Sequence, residues 1–334
     1  MSARDLICGQ IPWKAHQTGL AEPGALKAST SYVDRMRLFF RERIQLGRHF
    51  ALAALIYLGV AGYVSAAHGW TMDVLDPSNI VGVVSLFCLM LMLRLMDEIK
   101  DSNTDRMLFP DRPLPSGRVH LRDLQATLAV VILLYLAVNL SFGLVLWTAI
   151  GVLGYALLMF RYFFMPQLIR RSLLLALLTH NPVVPLMLLH CVAIALASQA
   201  YEGAQLRWDL IAPFIVMMWA PLLAWEISRK IRAPQEETEY VTYSRVLGLH
   251  GAISLALAIQ AISLLISFCL FARMGLSLFI PAIGAVAFLS SWAAHQRVLL
   301  EPEHGSRQLS VVAQRFALAV FAGQIYAFVW PGLI

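Results

Sequence analysis

Nine stretches of this chain are apolar over lengths that cross the hydrocarbon of a bilayer, about 30 Å or roughly 20 helical residues. They lie near 50–68, 79–99, 123–141, 143–163, 173–197, 209–230, 250–271, 275–294 and 312–331. The expected fold is therefore all-α: a polytopic membrane protein with nine transmembrane helices in one bundle around a central cavity. Composition agrees, because only 14% of the 334 residues are charged, against about 25% in soluble domains. The close pairs at 141/143 and 271/275 predict tight hairpins.

Residues 1–48 form a basic segment ahead of the bundle, and 49–334 the nine-helix domain. The segment has no apolar core, so no cleavable signal peptide is expected. Arg35, Arg37, Arg41, Arg43 and Arg48 alternate with Leu38, Phe39, Phe40 and Ile44, a pattern that predicts an amphipathic helix lying at the membrane interface. Lys and Arg concentrate in every second loop. One set holds Lys100, Arg106, Arg112, Arg118 and Arg122, then Arg161, Arg170 and Arg171, then Arg229, Lys230, Arg232 and Arg245, then Arg297 and Arg307. The opposite loops hold only Arg207 and Arg273. The positive-inside rule then places the N-terminus in the cytoplasm and, with an odd number of spans, the C-terminus outside. A formal charge of +6 in such a chain indicates contact with anionic membrane lipids, not nucleic acid. The four cysteines, at 8, 88, 191 and 269, lack metal spacing and read as small buried apolar residues. High pI, few cysteines and the missing signal peptide fit a multi-pass protein of a bacterial inner membrane.

The second apolar run ends in Arg94-Leu-Met-Asp-Glu-Ile-Lys-Asp-Ser-Asn-Thr-Asp105. On a helix, Asp97, Asp101 and Asp105 each turn by about 40° and advance by ~6 Å, so they form one stripe about 12 Å long. Three acids on one face repel unless positive charge lies between them. Prolines 110, 113 and 115 then force Phe109–Gly117 into an extended or turning loop. Arg94, one turn before Asp97, either neutralises the stripe or reaches a ligand.

A comparable segment ends the sixth run: Trp225-Glu-Ile-Ser-Arg-Lys-Ile-Arg-Ala-Pro-Gln-Glu-Glu-Thr-Glu239. Glu226 and Lys230 share a face, Pro234 breaks the helix, and Glu236, Glu237 and Glu239 follow. One reading is a helix-end salt bridge with a solvated acidic loop. The other is a functional site, since ionisable groups at a bundle's mouth are functional candidates by default. Opposed carboxylates with interspersed Lys and Arg suit Mg²⁺, which binds a few carboxylates plus substrate phosphates. His180 and Asn181, beside Pro182 in the fifth run, either contact an acceptor or cap backbone groups freed by the prolines. Tyr155, Phe160, Tyr162 and Trp219 are candidate lining for an apolar tunnel.

These residues resemble the UbiA superfamily of intramembrane prenyltransferases, which have nine spans and two aspartate-rich motifs. The first motif, N/D-x-x-x-D-x-x-x-D followed by P-x-R-P-(L/I)-P-S-G, is similar to Asp97-x-x-x-Asp101-x-x-x-Asp105 and Pro110-Asp-Arg112-Pro-Leu-Pro-Ser-Gly117 here. The second motif departs from the family: Glu226 takes the first acidic place, Lys230 stands where a second acid is usual, and Glu236 and Glu237 follow a longer insertion. The departure leaves open whether one metal is held less fully or a lysine meets diphosphate directly. The resemblance implies Mg²⁺ held by Asp97, Asp101, Asp105, Glu226 and Glu237, with Asp97, Asp101, Asp105 and Glu226 as the catalytic set. It implies substrate contacts from Arg112, Lys100, Arg94, Arg229, Lys230 and Asn181. The implied partners are an isoprenyl diphosphate and a lipophilic, aromatic acceptor, at an active site on the cytoplasmic side.

Two further readings remain at this stage. Terpene cyclisation would use the same diphosphate ionisation on the same fold. A transporter or non-catalytic assembly subunit would place acids near the bilayer midplane on broken helices.

Overall fold

The computed structural model of the protein describes residues 31–140, 145–198, 206–238 and 241–329, and these contain helices but no strand. In chain order the α-helices are α1 Tyr32–Arg43, α2 Leu46–His68, α3 Pro77–Lys100, α4 Ser102–Leu108, α5 Leu121–Asn139, α6 Val145–Phe160 and α7 Pro166–Arg171. There follow α8 Leu173–His180, α9 Val183–Ser198, α10 Trp208–Ser228, α11 Tyr243–Arg273, α12 Phe279–Leu300 and α13 Arg307–Val329. Helix starts follow local chemistry. Asp76 accepts from Ser78 N with Pro77 at the first helical position of α3, and Thr242 accepts from Arg245 N at the head of α11, both satisfying amides that a helix leaves open.

Seven helical runs are long and apolar enough to cross a membrane: α2, α3, α5, the α8–α9 pair, α10, α11 and α13. The other two expected spans fall short. Helix α6 has 16 residues, about 24 Å at 1.5 Å per residue. Helix α12 has 22, but His295, Gln296 and Arg297 interrupt its apolar character near the end. The run expected at 173–197 divides at Asn181-Pro182, where proline removes a backbone donor. The hairpin at 271/275 is present as a turn at Met274-Gly275, whereas the one at 141/143 falls outside the described residues.

Residues 1–30 also lie outside the described residues, and α1, where an amphipathic helix was expected, packs against the bundle. Its Met36 and Phe39, with Ile44 beyond its end, are buried in a core shared with α3, α5 and α6. Arg35 grips Asp123 of α5 through two bonds of 2.7 and 2.8 Å, so α1 is docked on the bundle. A larger core joins α2, α9, α10 and α13, and a third joins α10, α11 and α12. Gly82 lets α3 approach α2, since a Cβ there would come within 2.0 Å of the Tyr57 ring. Cys88 and Cys191 are buried as expected, but Cys269 is exposed on α11, and Cys8 is outside the described residues.

Four helices, α3, α5, α6 and α9, also meet through polar groups in the bundle. Ser85 of α3 lies 3.1 Å from His190 Nε2 of α9, and Asn139 of α5 donates to Ser85 at 2.9 Å. His190 Nδ1 lies 2.8 Å from Thr148 Oγ1 of α6.

Candidate active site

The aspartate stripe sits where α3 ends. The helix breaks at Asp101, yet Asp101 N, Asp105 N and Phe109 N still reach the carbonyls of Asp97, Asp101 and Asp105 at 2.9, 2.9 and 2.8 Å. The four-residue ladder therefore carries on into α4, and the carboxylates keep their vertical order. Their surroundings differ. Asp97 is 45% exposed and pairs with Lys100 at 3.2 Å. Asp105 is buried and pairs with Arg112 at 2.7 Å. The Asp101 carboxylate has neither a hydrogen bond nor an ion pair among the described residues. Although that residue is open to solvent on one side, partial burial of its carboxyl pushes its pKa up, opposed by Lys100 and reinforced by Asp97, Asp105 and Glu98.

Glu98, which sequence reasoning passed over, is the most enclosed acid of the motif, with its side chain 5% exposed. It takes 2.6 Å contacts from both Arg43 and Arg94. Arg94 is thus committed to Glu98 and does not neutralise the stripe. The spacing of four between Arg94 and Glu98 was the available signal.

The proline loop is held from several sides. Arg112 stacks over the Phe109 ring at 3.7 Å while binding Asp105. Val119 N reaches Pro113 O at 3.0 Å, and Arg118 binds both oxygens of Glu42 on α1, at 2.8 and 3.0 Å. A cleft of about 330 Å³ remains between the loop and Glu42 and Arg43.

At the end of α10, Glu226 receives Arg229 at 2.5 Å and Lys230 at 3.1 Å. This is the helix-end pairing that composition suggested, with a second cation added. The acidic loop is anchored, contrary to a freely solvated reading. Glu237 accepts from Thr242 Oγ1 at 2.7 Å and Ser244 Oγ at 2.6 Å, and Glu236 from Ser306 Oγ at 2.6 Å. Glu239 lies outside the described residues.

The end of α8 has links to both segments. His180 is within electrostatic reach of Lys100 and Asp97 of the first segment and of Lys230 of the second. Lys100 sits 5.0 Å above the Tyr162 ring, and that ring lies 5.9 Å from His180. Tyr162, Phe163 and Phe164 have φ of 51°, 52° and 59°, a left-handed turn that costs non-glycine residues about 1–2 kcal/mol each. The turn brings Tyr162 and Phe163 against His180. Asn181 accepts from the Trp219 indole N–H of α10 and so ties α8 to the second acidic helix instead of capping freed backbone.

Among the described residues no three Asp, Glu, His or Cys side chains converge on a metal-sized site. The donor set still fits Mg²⁺, which needs only one or two carboxylates when substrate phosphates and water complete its shell. The Asp101 carboxylate is open, and Asp97 has Oδ2 to offer while its Oδ1 faces Lys100. Glu237 is occupied by hydroxyls, and both Asp105 and Glu226 by cations.

No protein-family model matches the chain, and no curated protein matches it. Two solved structures do. One is of digeranylgeranylglyceryl phosphate synthase in membranes, with a TM-score of 0.57 and 16% identity, covering 87% of this chain and 99% of that one. The other is the apo structure of a UbiA homolog from Aeropyrum pernix K1, with a TM-score of 0.61 and 17% identity, covering 81% of this chain and 96% of that one. At these identities the likeness is one of architecture, and it extends over nearly the whole length of both: the chain is an integral membrane protein with the UbiA fold.

Proposed function

We propose that this protein is an intramembrane prenyltransferase of the UbiA superfamily that uses Mg²⁺ and an allylic isoprenyl diphosphate to alkylate a lipophilic, aromatic acceptor. The observation that carries the reading is the arrangement around His180. Asp97 and Lys100 of the first acidic segment and Lys230 of the second all act electrostatically on it, in a bundle whose fold is shared with a UbiA homolog.

Breaking the C1–O bond of the donor leaves the electron pair on diphosphate and a delocalised cation on the prenyl chain. Lys100, Lys230 and Arg112 stabilise the diphosphate, and Arg112 is aimed by its stack on Phe109 and its bond to Asp105. Asp97 and Asp101 would hold Mg²⁺, which supplies further charge stabilisation to the leaving group. The apolar helices exclude the water that would quench the cation, while Tyr162 and Phe163 offer ring faces beside it. The acceptor's carbon then forms the new bond, and its proton leaves to solvent. In this reading the nine helical runs form one bundle, with α6 and α12 as its two least typical spans. The aspartates face the cytoplasm of a bacterial cell.

The test is pyrophosphate release from geranyl, farnesyl, geranylgeranyl and longer allylic diphosphates by detergent-purified protein, with and without Mg²⁺, alongside Asp101→Ala. Mg²⁺-dependent release, lost in the variant and accompanied by an acceptor-plus-prenyl mass, is the expected result. A hydrocarbon or terpene alcohol would reassign the chain to cyclisation. Failure of every donor both to react and to bind would remove the catalytic reading.

A further inference from the structure

A second polar cavity, of about 490 Å³, opens between the end of α10 and the start of α13. Arg229, Arg232 and Arg307 line it together with the hydroxyl-bearing Ser228, Ser306 and Ser310, and Glu236 is its one acid. None of the expected roles absorbs Arg232, Arg307 or these serines.

The cations and the acid have different commitments. Glu236 is spent on structure: its Oε2 accepts from Ser306 N at 2.8 Å, Ser306 Oγ at 2.6 Å and Ala233 N at 3.3 Å. Burial pushes its pKa up, but the bonds from Ser306 and Ala233, with Arg232 nearby, outweigh burial and hold it below the usual carboxylate range. It stays an anion pinned to the wall. Gly305, at φ +75°, permits that contact, since a Cβ there would come within 2.6 Å of Glu236 Oε1. Arg232 donates through Nη1 to the carbonyls of Arg229 and Ile231, at 3.1 and 2.9 Å, which fixes the guanidinium without neutralising it. Neither Arg232 nor Arg307 has a carboxylate within 4.0 Å among the described residues. Arg229 already serves Glu226. The cavity thus presents two guanidinium groups that no carboxylate touches, one of them held by backbone carbonyls, against the single pinned anion Glu236. Its serine hydroxyls are engaged within the protein, Ser228 with His295, Ser306 with Glu236 and Ile231 O, and Ser310 with Arg307 O. Planar guanidinium forks are the chemistry that takes a tetrahedral oxyanion.

We propose that this cavity binds a phosphate monoester or inorganic phosphate dianion, at a site separate from the aspartate stripe. Two sources present that chemistry, a free phosphate from the aqueous side and the headgroup of an anionic phospholipid.

The experiment uses the full chain in two arms. One measures equilibrium binding of radiolabelled inorganic phosphate to detergent-purified protein. The other measures enrichment of phosphatidic acid around protein reconstituted into phosphatidylcholine vesicles containing a small fraction of phosphatidic acid. Arg307→Gln is the first variant because its side chain makes no described bond that folding would miss, and Arg232→Gln/Arg307→Gln is the second. Loss of one charge-assisted contact is expected to weaken binding about tenfold, and loss of both further, with the thermal midpoint of Arg307→Gln unchanged. Saturable phosphate binding without lipid enrichment identifies the free anion as ligand. Lipid enrichment that inorganic phosphate competes away identifies the headgroup. Binding in neither arm, or binding equally strong in Arg307→Gln and the double variant, overturns the proposal.

Discussion

Arg43 and Glu98 lie 55 residues apart in sequence and meet at 2.6 Å, with the Glu98 side chain 5% exposed. Glu98 follows Asp97 directly, so the helix that precedes the first span is bolted to the residue next to the aspartate stripe. Arg94 completes the cluster from the same helix. One acid against two guanidinium groups leaves a net positive charge behind Asp97 and Asp101.

Removing the acid alone should therefore be costly. Glu98→Ala leaves two buried or half-buried arginines without their counter-ion, and breaking such a pair typically costs about 3–5 kcal/mol. Thermal unfolding in detergent should show a clear drop for Glu98→Ala and a smaller one for Arg94→Ala. If Glu98→Ala melts with the wild type, the cluster is not a structural clamp.

Asp101 should behave in the opposite sense. A carboxyl whose folded-state pKa is raised favours folding only while protonated. That contribution is complete below the unfolded pKa and is lost as pH rises through the folded one. In metal-free buffer, Asp101→Asn should accordingly be more stable than wild type at neutral pH, and the gap should close below the ordinary aspartate range. The same substitution should lower turnover about 10²–10³-fold, the scale for losing an electrostatic stabiliser of a transition state. A variant less stable than wild type at neutral pH would contradict the raised pKa.

Gly82→Ala tests the contact between α2 and α3. Its methyl group would enter the Tyr57 ring, and overpacking a tight core costs about 1–3 kcal/mol, occasionally more. Gly82→Ala/Tyr57→Ala should recover part of the loss. A double variant that is simply additive would show that the two residues do not share the space.

Arg112→Lys keeps the charge but gives up the planar fork that both stacks on Phe109 and binds Asp105. The expected outcome is a KM for the diphosphate donor raised about tenfold or more, with the unfolding midpoint nearly unchanged. Equal kinetics for the lysine variant would reduce Arg112 to a generic positive charge.

Much of the architecture was legible because hydrocarbon is an unforgiving solvent: long apolar runs announce helices, and their ends announce loops. The run at 173–197 carried its own warning of a break in Pro182. The aspartate spacing and the proline loop were likewise readable, since both depend on local backbone geometry. What could not be read was commitment. Nothing local distinguishes Asp101, whose carboxylate is unpaired, from Asp105, which is held by Arg112 seven positions further on. The grip of α1 on Asp123 spans 88 residues, so nothing local showed that Arg35 would face the protein while Arg37 stays exposed. The left-handed turn at Tyr162–Phe164 had no sequence signal, because aromatic residues rarely adopt that conformation.

The contacts joining Ser85, Asn139, Thr148 and His190 also bear on how the bundle is assembled. In lipid, apolar side chains match their surroundings almost equally well in any rotation, so they align neighbouring helices only loosely. Each residue of slippage turns a helix by about 100°, and a single such step would carry any of these four side chains out of reach. The Ser85–Asn139 bond needs only the early helices, whereas His190 joins Ser85 across 105 residues of chain. The network thus works as a latch that fixes the rotation of α3, α5, α6 and α9 against one another, with His190 of α9 contacting both Ser85 and Thr148.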